Sequence, residues 1–274
     1  LDYIKSNKDA WEEVFEKHRD GYKKNPIIKQ LDSDFAFLNN DMIDELKKIG
    51  FKNKNIAQFC CNNGRELLSI VKSGAKSGTG FDIAENFINE ANRIAELKKI
   101  NCNFVCTNIL DIGKEYKNKF DLVFSTIGSL CWFKNLDDFF SKINLVLKSN
   151  GIFLISETHP FTNMISMEGE EGYDENYPEK IIYSYFKNDP WIDNNGMDYI
   201  GNTTYKSKTF TSFSHTLSEI INAMINNNIQ IVKLKEYNHD LFGFSSLHNG
   251  LLPLSMILIG RKNSYCLKRK PQGH

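Results

Sequence analysis

The stretch QFCCNNGRELLS, residues 58–69, stands where a short apolar run gives way to a helical pattern. Residues 56–60, IAQFC, have the length and composition of a buried strand, and residues 65–72 carry apolar side chains at helical spacing. A tight loop between such elements directs backbone N–H groups at whatever lies beyond the strand end. The loop needs residues at positive φ, which glycine adopts without strain and asparagine tolerates next best. Asn62 and Asn63 are therefore expected in left-handed conformations, with Gly64 giving a close backbone approach. Cys60 and Cys61 have no histidine or third cysteine nearby in sequence, so they read as small packing residues and not as metal ligands. Alone, the stretch is indistinguishable from an ordinary strand-to-helix turn.

Working outward, the chain alternates. Strands are expected at 78–83, 102–106, 120–125 and 151–157, with helices at 86–99 and 136–147 between them. This rhythm predicts a parallel sheet with helices on both faces, its ligands bound at the C-terminal ends of the strands. Upstream, helices are expected over 8–18 and 35–49. Downstream, a helix at 215–227 and strands at 229–236 and 252–260 resume the pattern, the last two close enough to pair antiparallel. Between them, residues 160–212 carry many aromatics and half of the prolines. The segments KIIYSYF and TTYKSKTFTSF alternate like antiparallel strands and read as an insertion.

The composition narrows the class. The 274 residues are 41% hydrophobic and 25% charged, as expected of a globular chain with a sizeable core. Formal net charge is +0, which argues against a nucleic-acid partner, since binders normally carry a basic face. No apolar run approaches a membrane span, and residues 1–11 lack a signal-peptide core. The 6 cysteines show no paired CxxC spacing, so a reduced, cytoplasmic protein without a structural metal is expected. The chain starts without Met, so the true N-terminus is expected to have been trimmed.

A second feature raises the value of the loop. Asp82 ends the strand in GFDIAENF, about 18 residues after Gly64, where an acidic side chain can accept both hydroxyls of a ribose. The alternative is that Asp82 caps the following helix. Further along, Asn108 in TNIL is placed to meet an adenine amino group, with Ile109 covering the ring. FDLVFSTIGSLCWF, 120–133, brings Ser125, Thr126, Gly128 and Ser129 to the same edge.

In this order the motifs resemble those of the class I S-adenosylmethionine-dependent methyltransferases. IAQFCCNNG is similar to their first motif, GFDIAENFINEAN to the second, TNIL to the adenine position, FDLVFSTIGSL to the fourth and LKSNGIFLISE to the fifth. Two positions depart from the pattern. Gln58 and Asn108 stand where the family commonly has acids, and each removes a negative charge near a cationic cofactor.

The resemblance implies a three-layer α/β sandwich around a seven-stranded, mostly parallel sheet with the last strand antiparallel, plus a small antiparallel lid insertion. Residues 1–50 would be an N-terminal helical cap, 51–159 and 213–262 the core, 160–212 the substrate lid and 263–274 a flexible tail. S-adenosylmethionine would meet Trp11, Phe59, Cys60, Cys61, Asn62, Gly64, Arg65, Asp82, Ile83, Asn108, Ile109, Ser125, Thr126 and Ile127. The histidines of SETHP and FSHTL resemble those of a small-molecule branch, which makes His159 and His215 the candidate proton acceptors. Trp132, Tyr183, Tyr185, Trp191 and Tyr205 would face a small-molecule substrate. The implied activity is O- or N-methylation by a monomer or homodimer. The departures at Gln58 and Asn108 keep open a cofactor-binding regulatory protein without catalysis.

Overall fold

The computed structural model describes residues 2–24, 27–197, 205–241, 247 and 250–264, without the side chains of 19–24. Seven strands make the main sheet: β1 (Asn55–Phe59), β2 (Ser77–Asp82), β3 (Cys102–Cys106), β4 (Phe120–Ser125), β5 (Leu147–Thr158), β8 (Ile229–Tyr237) and β9 (Ser255–Lys262). Their order is β3-β2-β1-β4-β5-β9-β8. β1 to β5 pair in parallel, while β9 runs antiparallel between β5 and β8. The expected sandwich, with its antiparallel last strand, is the fold found.

The strands bury both faces, and their alternation assigns each residue to a layer. Leu122, Phe124, Ile152 and Leu154 join one apolar cluster with α3 (Asn40–Ile49), α4 (Arg65–Lys72) and α5 (Glu85–Lys98). Val123, Phe153 and Ile155 join the other, with α6 (Leu136–Val146) and α7 (Leu217–Asn226). The helices stop and start by ordinary chemistry. Asn39 caps α3 at its start and Gly50 closes it in the left-handed conformation. Thr216 and Glu219 form a reciprocal capping box on α7.

Several boundaries move. The first helix, α1, spans Tyr3–Lys24 and is much longer than 8–18, while a short turn of helix, α2, covers Ile27–Gln30. The helix expected from 35 begins only at Asn40, because Phe35 sits at a φ of 53° that helix does not allow. β5 extends back to Leu147 through a register shift opposite Phe120 and Leu122. In the insertion the small antiparallel lid is β6 (Trp191–Asp193) against β7 (Phe210–Ser212). KIIYSYF is not a strand: it contributes one isolated bridge, Ile181 to Ile165, and otherwise turns. Residues 198–204 and the tail from 265, including Tyr199 and Cys266, lie outside the described residues.

Candidate functional site

The loop after β1 is built on three left-handed residues in alternation: Cys60 (φ 54°), Asn62 (φ 48°) and Gly64 (φ 70°). Asn62 takes the expected conformation, but Cys60 takes the second one and Asn63 does not. Asn63 instead donates its N–H to the Asn62 side chain at 2.8 Å. Gly64 is required for packing: a Cβ there would lie 2.2 Å from the Phe104 ring. Its close approach is therefore to the protein interior and not to a ligand.

Asp82 ties this loop to the next strand. One carboxylate oxygen accepts the Asn62 N–H at 2.8 Å, and the other accepts the Ala84 N–H at 3.0 Å, at the start of α5. Its pKa is raised by burial, against the pull of those backbone donors. Asp82 therefore holds the N–H of Ala84, the residue at the N-cap of α5, and the same side chain borders the cavity.

A cavity opens along the C-terminal ends of four consecutive strands, with about 770 Å³ of space including its mouth. After β3 its wall is Asn108, Ile109 and Leu110. After β2 it is Asp82 and Ile83, and after β1 Cys60 and Asn62. After β4 it is Ile127, Gly128, Ser129, Trp132 and Phe133. Three strand spacings of about 4.8 Å make this row roughly 14 Å long. The roof is α1, which presents Tyr3, Asn7 and Trp11 at intervals of four residues, one face of a helix, together with Ile4.

The roof is fastened on both sides. The Glu12 carboxylate accepts the N–H groups of Glu85 (2.6 Å) and Asn86 (3.1 Å) at the N-terminus of α5. The Asn7 amide donates to the Thr211 carbonyl and accepts its N–H, both at 2.8 Å. Phe210 of the same lid strand packs its ring on Trp11 and Trp132 at 5.5 and 5.8 Å.

The loop after β4 is held by a residue that the sequence reading did not single out. Glu157, at the end of β5, accepts the N–H groups of Gly128 (2.7 Å), Ser129 (3.0 Å) and Thr158 (3.0 Å), with Leu130 at 3.5 Å. Burial raises its pKa while these donors pull it down. Gly128 adopts φ 79°, a conformation that turns successive N–H groups toward one acceptor. The signal in the sequence was an acid at the end of an apolar strand, the same signal that marked Asp82.

Of the expected cofactor contacts, Trp11, Cys60, Asn62, Asp82, Ile83, Asn108, Ile109 and Ile127 line the cavity, as does Trp132 from the substrate set. Tyr3, Ile4, Asn7, Leu110, Gly128, Ser129 and Phe133 line it as well. Phe59, Cys61 and Ser125 do not, because strand alternation and the loop turn them inward to full burial. Arg65 is drawn away to Glu66 at 2.9 Å and over the Phe37 ring. Thr126 and Gly64 are also absent from the wall. Burial pushes the Cys60 and Cys61 thiols well above their ordinary pKa, so they remain protonated packing groups.

Gln58 is fully buried beneath the loop and donates to Glu66 at 3.4 Å, while its carbonyl oxygen has no partner. The acid missing at 58 thus has a neighbouring counterpart in Glu66, in the first turn of α4. Asn108 caps a short turn by accepting the Leu110 N–H at 3.1 Å. Its oxygen keeps one lone pair and its N–H₂ keeps both donors for a ligand.

Neither histidine lines the cavity. His159 is buried against β8, donating from Nε2 to Glu236 (2.9 Å), while Nδ1 accepts the Phe161 N–H (3.2 Å). His215 donates to the Phe133 carbonyl at 2.9 Å, behind the wall. Burial lowers both pKa values. The insertion's aromatics are also committed elsewhere. Tyr183 and Trp191 pack edge to face at 4.7 Å beside a separate open depression. The Tyr185 hydroxyl accepts the Leu217 N–H at 2.9 Å. Tyr205 lies against Gly196 and under Lys17.

A model of the methyltransferase domain matches residues 51–227, more than half of the chain. The chain belongs to this methyltransferase family. S-adenosylmethionine is its cofactor, and the fold is that of the class I enzymes. An uncharacterized protein of Haemophilus influenzae is 22% identical over 188 residues, covering 68% of this chain and 70% of its own. The structure of an S-adenosylmethionine-dependent methyltransferase from Clostridium acetobutylicum aligns with a TM-score of 0.60 at 13% identity, over 91% of this chain and 99% of that one. The [4+2]-cyclase SpnF aligns with a TM-score of 0.54 at 13% identity, over 84% and 83% of the two chains. At such identities the two structures speak to the fold. Among the described residues no group of three or more His, Cys, Asp or Glu side chains is disposed to hold a metal, and no helix is long and apolar enough to cross a membrane.

Proposed function

We propose that the methyltransferase binds S-adenosylmethionine along the row from Asn108 to Ser129 and methylates a small molecule on oxygen or nitrogen at the β4 end. The observation that carries this is the ordered row of polar groups at the ends of β3, β2, β1 and β4, all facing one cavity under α1. Asp82 keeps acceptor capacity for a ribose hydroxyl, since the backbone donors of Asn62, Ala84 and Ile83 do not fill its four lone pairs. Ile83, Ile109 and Leu110 supply apolar surface for a purine, and the Asn108 amide can meet its exocyclic amine or a ring nitrogen. The small side chain of Cys60 leaves room above the loop.

Held by Asp82, Asn108 and the β1 loop, the cofactor would supply an activated methyl group to the lone pair of the acceptor. The protein's part is alignment and exclusion of water, and alignment can contribute roughly 7–11 kcal/mol of the barrier. Trp11, Trp132 and the α1 roof close the cavity above the reacting end. His215 acts through the Phe133 backbone as a positioning residue, and an acceptor proton leaves through the mouth. Localisation in the cytoplasm, as a monomer or homodimer without a nucleic-acid partner, accords with this small-molecule role.

Cofactor binding without transfer is a second reading, favoured by the absence of both histidines from the cavity wall. Calorimetry with S-adenosylmethionine tests the shared part: affinity in the micromolar range is expected, and no heat at millimolar cofactor would refute it. Incorporation of label from methyl-labelled cofactor into a broad panel of small alcohols and amines separates the two readings. Product formation selects methyl transfer, and none selects binding alone.

A further inference from the structure

Seven buried side-chain polar atoms have no hydrogen-bond partner among the described residues, and one of them, the Ser129 hydroxyl, belongs to a residue of the cavity wall. Ser129 is 2% exposed, and its backbone is fixed by the Glu157 carboxylate at 3.0 Å. A buried hydroxyl without a partner is costly unless a ligand completes it. The walls around it at this end are Tyr3, Ile4, Trp132 and Phe133, with Gly128 and Asn7. The Gly128 N–H is occupied by Glu157, and each atom of the Asn7 amide makes one bond to Thr211. Ser129, the Tyr3 hydroxyl and the Trp132 indole N–H are the other polar side-chain groups of this end. None is charged. Asp82, two strands away, is the one acidic or basic side chain on the described wall.

We infer that this end is an acceptor subsite for an uncharged, flat molecule, held between aromatic side chains and anchored by one hydrogen bond to Ser129. A carboxylate or phosphate entering here would lose its water and approach the Glu157 carboxylate behind the wall, and an ammonium would lose its water for a carboxylate already held by backbone N–H groups, a heavy penalty in each case. Aromatic faces and edges suit a planar ring instead. The inference rests on the proposed cofactor reading, because it assigns the part of the cavity that the cofactor leaves.

Three matched probes test it: benzyl alcohol, benzoate and benzylammonium share a ring and a one-carbon stem and differ in charge. The protein is first loaded with S-adenosylhomocysteine by calorimetry, and failure at this step refutes the cofactor reading alone. On loaded protein, tryptophan fluorescence follows each probe, since Trp11 and Trp132 are on the wall. Benzyl alcohol is expected to bind at least roughly 10-fold more tightly than either ion. Ser129→Ala should weaken it roughly 3- to 10-fold. Ser156→Ala, which removes an equally buried and unpartnered hydroxyl away from the cavity, should leave it unchanged. Binding of benzoate or benzylammonium as tightly as the alcohol overturns the inference. So does an equal effect of the two serine substitutions, or no binding of the alcohol to loaded protein.

Discussion

Two loops at the catalytic edge of the sheet are built by the same device and put to different use. The loop after β1 and the loop after β4 each hang from a buried carboxylate on the neighbouring strand: Asp82 on β2 for one and Glu157 on β5 for the other. Asp82 accepts one backbone N–H at each oxygen and borders the cavity. Glu157 is saturated by the backbone of residues 128–130 and 158 and lies behind the wall. An acid ending a strand therefore marks a loop anchor in both places, and of the two only Asp82 also borders the cavity. Glu45 is a third buried carboxylate with a different environment. Lys48, Lys233 and Lys235 surround it and hold its pKa down to about 2, whereas burial raises that of the two backbone-held acids.

The sharpest break in this comparison is Glu157→Ala. It strands at least two buried N–H groups, so the free energy of unfolding in urea should fall by about 2–4 kcal/mol. A loss under ~0.5 kcal/mol would show that the β4 loop holds itself. Asp82→Ala should act on the ligand instead, weakening S-adenosylhomocysteine roughly 10- to 150-fold in calorimetry, as for a charged hydrogen bond. Unchanged affinity would remove Asp82 from the site. Glu45→Gln should cost about 1 kcal/mol of stability at neutral pH, since its lysine partners are partly exposed. The Glu45 pKa falls on folding, so its contribution is present above 4.5 and is lost as pH drops toward about 2. Acid unfolding of the variant should lack that component. The smallest effect belongs to His159. Its pKa is lowered in the fold, so stability present above 6.5 declines as pH falls through the lowered value. His159→Gln should flatten that decline without altering cofactor affinity. A change in affinity would restore His159 to the site.

The strands of the parallel sheet, its helix layers and the β1 loop were legible because alternation and helical periodicity are local. Cys102–Cys106 and Phe120–Ser125 were placed to the residue. Asp82, Asn108 and Ile127 were legible as positions relative to strand ends. What was not legible depends on contacts between distant segments. The α1 stripe reads as an ordinary amphipathic face until Thr211 and the α5 N-terminus show what it spans. His159 and His215 were marked by the resemblance of SETHP and FSHTL to a small-molecule branch, yet one meets Glu236 and the other the Phe133 carbonyl. Gln58 looked like a missing charge until Glu66 was seen beside it.

The central claim is that one cavity, under α1 and across four strand ends, holds the cofactor. Ultraviolet cross-linking of methyl-labelled S-adenosylmethionine, followed by peptide mapping, tests it most directly. Label is expected in the peptides carrying Trp11, Cys60–Asn62, Asp82–Ile83 and Ile127–Phe133, and excess unlabelled cofactor should suppress it. Label confined to the insertion around Tyr183 and Trp191, or label that excess cofactor does not compete away, would contradict the account.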